Sequence, residues 1–174
     1  MLTLTARCPE YLAGYKAYCQ EMYDRAVPYF RPMDPARVDE DWFYRTKLVY
    51  DARETARADR QSRSLHFWAV DGDEFIGEFQ LRLDFTEKVL TDIGSVGYAV
   101  RPSLWGRGYG YEILRQGTEI ARARGMEKLL FTLNEENARS IHLIEKLGAV
   151  WKDTIDAENE AEGRHRLRRY WLSL

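Results

Sequence analysis

Apolar and polar residues change their period several times along the chain. Leu2 to Thr5 alternates apolar and polar positions, as a short first strand does. After Pro9 the residues Tyr11, Tyr15, Tyr18 and Met22 recur on one helical face, and an aromatic stripe of this kind is expected to be packing. Pro28, Pro32 and Pro35 then make a loop. Asp34-Pro35 predicts the next helix start, with aspartate as N-cap and proline at the first helical position. Asp39, Glu40 and Asp41 fall early in that helix, which is expected to run to about Arg57 with Val38, Trp42 and Val49 on one side.

The period then shortens to two. Leu65 to Val70 and Phe75 to Leu83 read as strands joined by an Asp71-Gly72 hairpin turn. In the second strand Gly77, Phe79, Leu81 and Leu83 are expected on one face, and Ile76, Glu78, Gln80 and Arg82 on the other. Val96 to Val100 is a short apolar strand stopped by Arg101-Pro102. Gly106, Gly108 and Gly110 follow, and then Ile113, Gly117, Ile120 and Ala121 share a helical face that ends at Gly125. Leu129 to Leu133 is nearly all apolar, as in a strand buried on both sides. Asn134 or Asn137 caps a last helix ending at Gly148, and Ala149 to Ile155 and Arg166 to Leu174 close the chain as strands. The predicted order is β-α-α-β-β-β-α-β-α-β-β. Strand, helix and strand through the glycine turn make a parallel unit, and the strands before it an antiparallel meander. A mixed, mostly antiparallel sheet flanked by helices is therefore expected in an α/β chain.

Composition narrows the function without naming it. At 174 residues the chain fits one domain, 1–174, large enough to bury a core without staples. A net charge of -2 gives no reason to expect nucleic acid or an anionic membrane as partner. Cys8 and Cys19 are too few for a disulfide framework, and His66, His142 and His165 lack metal-ligand spacing, so no metal and a reducing compartment are expected. The N-terminus has no charged-then-apolar leader pattern and no run approaches a membrane span, so the expected location is cytoplasmic. Arg164 to Arg169 alternates along a strand, most simply as a solvated face, the other reading being a cluster that favours an acidic acceptor.

The candidate chemistry lies between Val96 and Glu112. A glycine-rich turn feeding a helix aims several N–H groups and the positive end of the helix dipole at one spot, where a phosphate can bind. Arg107 adds a charged donor. The alternative is a plain strand-to-helix connection that uses glycine. A kinase-type P-loop would need Gly-Lys-Ser/Thr, and a dinucleotide fold a third glycine where Tyr111 stands. Coenzyme A is the remaining phosphate ligand.

Trp105-Gly-Arg-Gly108-Tyr-Gly110 resembles motif A of the GNAT superfamily of acetyl-CoA-dependent N-acetyltransferases, Gln/Arg-x-x-Gly-x-Gly/Ala, with tryptophan at the first position. Asn137-Ala-Arg-Ser140-Ile-His-Leu-Ile144-Glu-Lys-Leu-Gly148 resembles that family's Asn-x-x-Ala/Ser-x-x-x-Tyr-x-x-x-Gly segment, with Ile144 in place of the tyrosine. The predicted element order is also that of the family, so the resemblance covers essentially the whole chain. It implies acetyl-CoA as co-substrate, with the pyrophosphate on the backbone of Gly106, Arg107, Gly108, Tyr109 and Gly110. It implies a pantetheine arm paired with Tyr98, Ala99 and Val100, and N–H groups freed where this strand splays from the Leu129 strand to bind the thioester oxygen. Asn137, with Ser140 in the same block, resembles the pantetheine-binding asparagine; an N-cap role alone is the other reading.

Glu78 is the candidate general base, because Ile76 and Phe79 flank it in a strand centre where a carboxylate is partly desolvated. A structural pair with Arg82 or a neighbouring strand, on a solvated sheet face, is the alternative. The resemblance places a general acid at Ile144, which cannot serve, and His142 lies about 200° away around the helix. Water or another residue must then protonate the leaving thiolate. By analogy, Tyr29, Phe30 and Trp42 border the acceptor, an amine on a small molecule or peptide. A homodimer is compatible with the resemblance. Ile144 and Trp105 keep open a non-catalytic acyl-CoA sensor, and a dinucleotide-binding enzyme is the third reading.

Overall fold

In the computed structural model, residues 1–27, 33–55, 62–159 and 163–174 are described. The chain runs through β1 (Leu2–Ala6), α1 (Leu12–Asp24), α2 (Glu40–Ala52), β2 (Ser64–Asp71), β3 (Glu74–Arg82) and β4 (Val96–Val100). It continues through α3 (Tyr109–Ala123), β5 (Lys128–Asn134), α4 (Ala138–Lys146), β6 (Val150–Asn159) and β7 (Gly163–Ser173). The order is the one the sequence predicts.

The strands form two antiparallel sheets, of order β1-β2-β3-β4 and β5-β7-β6. Where a continuous sheet would join β4 to β5, the contact is held at Ser95. Its N–H donates to the Leu130 carbonyl at 2.7 Å, and its hydroxyl accepts from the Leu130 N–H at 2.7 Å. Beyond Ser95 no ladder joins the two strands among the described residues, and a gap opens there.

The apolar residues fall into two groups on opposite faces of the first sheet. Leu65, Phe79, Leu81, Ile113, Leu129, Phe131 and Tyr170 belong to a core that joins both sheets to α3 and α4. Tyr15, Tyr18, Met22, Trp42, Phe43, Trp68 and Phe75 form a second core beneath α1 and α2. Tyr15 lies between Trp42 and Trp68, with ring centroids at 5.3 and 5.0 Å. The aromatic stripe of α1 is packing, as expected.

Three local expectations change. Asp34 caps only a 3₁₀ turn, Pro35–Arg37, and Asp39 is the N-cap of α2, accepting from the Trp42 N–H at 2.7 Å. Between them Val38 is extended and almost wholly buried, so its burial in the second core interrupts the helix that the Asp34-Pro35 signal predicts. The helix stops at Ala52, before the expected Arg57, and Val49 is 53% exposed. The inward face drifts instead through Phe43, Thr46 and Tyr50, as a 3.6-residue period requires.

Ile76 is the third. A bulge between Ala69 and Val70 sets Ala69 opposite Gly77 and Val70 opposite Phe75, leaving Ile76 as the extra residue. Ile76 consequently joins Phe79 and Leu81 in the first core rather than sharing the face of Glu78.

Candidate active site

β4 leads directly into the glycine turn, and α1 holds the junction. Glu21 accepts from Arg101 Nε at 2.6 Å, and from the Ser103 N–H at 2.9 Å and hydroxyl at 3.1 Å. Gly106 and Gly108 have φ of 82° and 86°, and Gly108 is the N-cap of α3 with no side-chain cap. A Cβ at either would meet nothing within 4 Å, so conformation rather than space demands glycine here. At Gly110 a Cβ would lie 2.9 Å from Leu143 Cδ1, the movable end of a side chain on α4, so this glycine is set by contact rather than conformation. The Tyr109 hydroxyl donates to Asp71 at 3.3 Å, so only the backbone of Tyr109 belongs to the turn. Trp105, the departure from the motif, donates its Nε1–H to the Val100 carbonyl at 2.8 Å and carries the Arg139 guanidinium 4.2 Å from its ring centroid. It folds the turn back onto β4.

The β3–β4 register pairs Gly97 with Gln80 and Ala99 with Glu78, and the flanking bonds Arg82 N–H to Ser95 O and Arg101 N–H to Ile76 O fix its phase. Backbone groups of Gly97 and Ala99 therefore turn to β3, and those of Val96, Tyr98 and Val100 turn to the gap. Of the three residues expected to pair with a pantetheine, Ala99 is committed to β3 and the Val100 carbonyl to Trp105. Tyr98 is the one whose backbone faces the opening. Its hydroxyl meets Ser140 on α4 at 3.1 Å, and burial raises its pKa. Asn137 caps α4 by accepting from the Ser140 N–H at 3.2 Å, so the cap role is real.

A cavity of about 780 Å³ opens where the sheets part. It reaches from Asn137, Ser140 and Tyr98 across the first sheet to α1 and α2. Glu78 stands between these ends. Burial pushes its carboxyl up to about 7, against the opposing pull of Arg7 and of hydrogen bonds from the Tyr15 and Tyr18 hydroxyls. The residue is partly accessible while its carboxyl is desolvated, because the accessible side faces the cavity and the other sides face those rings.

Residues facing one another across β2 and β3 complete this wall: Trp68 with Glu78, His66 with Gln80, and Ser64 with Arg82. Arg82 Nη2 donates to Gln80 Oε1 at 2.8 Å, which turns the Gln80 amide nitrogen to His66 Nε2 at 3.2 Å. His66 thus accepts at Nε2 and keeps its proton on Nδ1. Burial first, then Arg53, Arg82 and Arg7, hold its pKa down to about 3, so it is neutral.

The cation beside Glu78 is Arg7, not the Arg82 that the sequence offers as a partner. Ile144 is fully buried in the first core, and His142 is on the surface. Trp42 is packed in the second core and does not line the cavity; Tyr29 and Phe30 lie outside the described residues. Arg107 is exposed and, like Gly106, Gly108, Tyr109 and Gly110, lies outside the cavity wall. Gln80 and Arg82 could be found from the sequence, since they alternate with Glu78. Nothing local marks Arg7, which follows β1 and enters the wall by meeting Thr46 and Tyr50 of α2.

The Acetyltransferase (GNAT) domain model matches residues 2–150. The chain belongs to the GNAT acetyltransferase family. No curated protein matches this GNAT chain in sequence. Solved structures match it in fold, at low identity. A microcin C7 self-immunity acetyltransferase, in complex with acetyl-CoA and AMP, superposes with a TM-score of 0.74 at 11% identity, covering 99% of this chain and 92% of its own. A ribosomal L7/L12 alpha-N-protein acetyltransferase in complex with coenzyme A gives 0.72 at 13%, with 99% and 94% covered. A spermidine N-acetyltransferase chimera from Vibrio cholerae gives 0.69 at 17%, with 99% and 95% covered. Among the described residues of the GNAT chain, no group of three or more His, Cys, Asp or Glu side chains is arranged to hold a metal, and no helix is long and apolar enough to cross a membrane.

Proposed function

We propose that this GNAT domain transfers the acetyl group of acetyl-CoA to a primary amine by direct attack in a ternary complex, with Glu78 as general base. The observation that carries this reading is the placement of Glu78: a carboxyl raised to about 7, in the cavity wall, paired in register with Ala99 at the edge where the sheets part. A base near neutrality is ionised often enough to accept a proton and basic enough to draw one from an ammonium.

The residues present fit the co-substrate. Gly106 to Gly110 offer a turn whose first-turn N–H groups have no side-chain cap, and the gap-facing backbone of Tyr98 offers an open strand edge. Acetyl-CoA would supply a thioester carbonyl, to which the amine nitrogen bonds as the C–S bond breaks and its electron pair goes to sulfur. Glu78 takes the amine's proton at its carboxylate. The N–H of Tyr98, at the mouth of the gap, supplies a donor for the carbonyl oxygen. With Ile144 in the core, the Tyr98 hydroxyl is the group offered to the departing thiolate, since burial keeps it protonated and it already reaches α4 at Ser140.

Glu78→Gln tests this. Turnover on any accepted amine should fall about 10²–10⁴-fold in kcat/KM. The limb of the wild-type profile that rises through pH 7 should disappear, because the base works only when ionised. Affinity for coenzyme A should stay within about twofold, as the turn does not touch Glu78. Unchanged turnover in the variant would reject Glu78 as the base.

The burial of Ile144 favours one second reading, an acyl-CoA-binding sensor without turnover. Coenzyme A binding with no acetyl transfer to any amine in a broad panel would support it.

A further inference from the structure

The cavity is more cationic than the protein around it. Four cations line it (Arg7, Arg53, Arg82 and Lys88) against two carboxylates, Glu78 and Asp92, in a chain whose net charge is -2. Asp92 is held by Lys88 at 2.6 Å, and Glu78 faces Arg7. Glu78, the carboxylate assigned to proton transfer, is thus set against Arg7, and Asp92, which acts on Arg82, is already held by Lys88.

Arg7 and Arg53 have other company. The Arg7 guanidinium lies 4.4 Å from the Tyr50 ring centroid and 5.2–5.7 Å from those of Trp42, Phe43 and Trp68, and Nη2 donates to Thr46 at 3.2 Å. Arg53 also lies near Tyr50, 5.2 Å from its ring centroid. Such rings replace part of a counter-ion. Arg82 has no ring contact and no ion pair among the described residues. Its Nη2 reaches Gln80, and Nη1 makes long contacts of 3.4 Å to the carbonyls of Ile93 and Gly94. Burial draws its pKa down to about 10. Against burial stands only the Asp92 carboxylate, which Lys88 already holds, and a buried charge so weakly countered is costly unless something anionic joins it.

Its position sets the distance. A Cβ on Gly97 would lie 3.8 Å from Arg82 Nη1 and 3.6 Å from Gln80 Oε1. The guanidinium therefore folds back over β4 beside Gln80, one same-face step from Glu78, which is about 7 Å along a strand.

We propose that the acceptor is an anionic amine, carrying a carboxylate or phosphate that Arg82 binds while Glu78 receives the proton of an amino group roughly 7 Å away. This rests on the acetyltransferase reading above and names its substrate class. An ω-amino acid or the N-terminus of an acidic peptide has the required spacing. A polyamine or an aminoglycoside does not fit, because its further ammonium groups would face Arg82 and Arg53.

The test is a matched series: 4-aminobutyrate and 6-aminohexanoate, the corresponding n-alkylamines, and the corresponding diamines, each with acetyl-CoA. Acetylation should be followed by thiol release and binding by calorimetry, with wild type, Arg82→Gln and Arg82→Lys. Among carboxylates and 4-aminobutyl phosphate, whichever binds more tightly identifies the anion. The expected order of kcat/KM and of affinity is amino acid over alkylamine over diamine. Arg82→Gln should reduce the amino-acid-to-alkylamine preference about 10–100-fold, chiefly through KM, and Arg82→Lys should restore part of it. Diamines equal to or better than amino acids, or a preference unmoved by Arg82→Gln, would overturn the proposal while leaving the acetyltransferase reading intact. Arg82-dependent binding of the amino acids without turnover would retain the anion site and reject that reading instead.

Discussion

The glycine turn, which lies outside the cavity wall, and the wall around Glu78 are built in different ways. The turn is contiguous chain: Trp105 bonds back to Val100, Gly106 and Gly108 adopt left-handed backbone, and Gly110 lets α3 close on α4. The wall is assembled from β1, α1, β2 and β3, through Arg7, Tyr15, Tyr18, His66 and Glu78. The turn works through backbone groups, whose direction local conformation fixes. The wall works through side-chain protonation, which depends on what distant segments bring near. The first can be damaged by a single Cβ. The second can be retuned by changing any of several neighbours.

Glu78→Gln should separate the two most sharply, with the 10²–10⁴-fold loss of kcat/KM given above and coenzyme A affinity kept. At the turn, Gly108→Val should do the reverse. A β-branched residue at φ 86° is strained, so coenzyme A affinity should fall at least about tenfold, measured by calorimetry, with a modest drop in Tm. Gly110→Val gives the contrast within the turn. Its φ is ordinary and its one close neighbour, Leu143 Cδ1, is the movable end of a side chain, so stability to denaturant should fall less than in Gly108→Val. Equal stability losses at the two glycines would remove the distinction between conformation and contact.

Glu78 also makes a stability prediction. Its folded pKa, about 7, lies above its ordinary value of 4.5, so the fold prefers the protonated carboxyl. That preference contributes fully below pH 4.5 and is lost as pH rises through 7. Wild type should therefore lose stability relative to Glu78→Gln between pH 4.5 and 8, by on the order of 3 kcal/mol in chemical denaturation. A constant difference across that range would mean the carboxyl is not desolvated. The smallest effect is expected from Trp105→Phe, which removes the indole bond to Val100 and should cost about 1 kcal/mol in stability.

Much of this was readable from residue order. Local rules placed β2, β3 and β4, the left-handed glycines, the Asn137 cap and the packing stripe of α1, because each depends on neighbours within a few positions. The same rules misplaced the start of α2, where burial of Val38 overrode a valid capping signal at Asp34. They also put Ile76 on the wrong face, since a bulge is a property of two paired strands and leaves little trace in one of them.

The sequence by itself determined the order of elements, the turn and the presence of a carboxylate at the centre of β3, because periodicity, glycine and capping act over one or two turns of chain. Tertiary structure decided that the strands part beyond Ser95, that Arg7 rather than Arg82 stands beside Glu78, and that Arg82 is left in the cavity with only Asp92, already held by Lys88, to counter it. Charge state and access depend on desolvation and on groups tens of residues away, and these come together only when the sheets and helices pack.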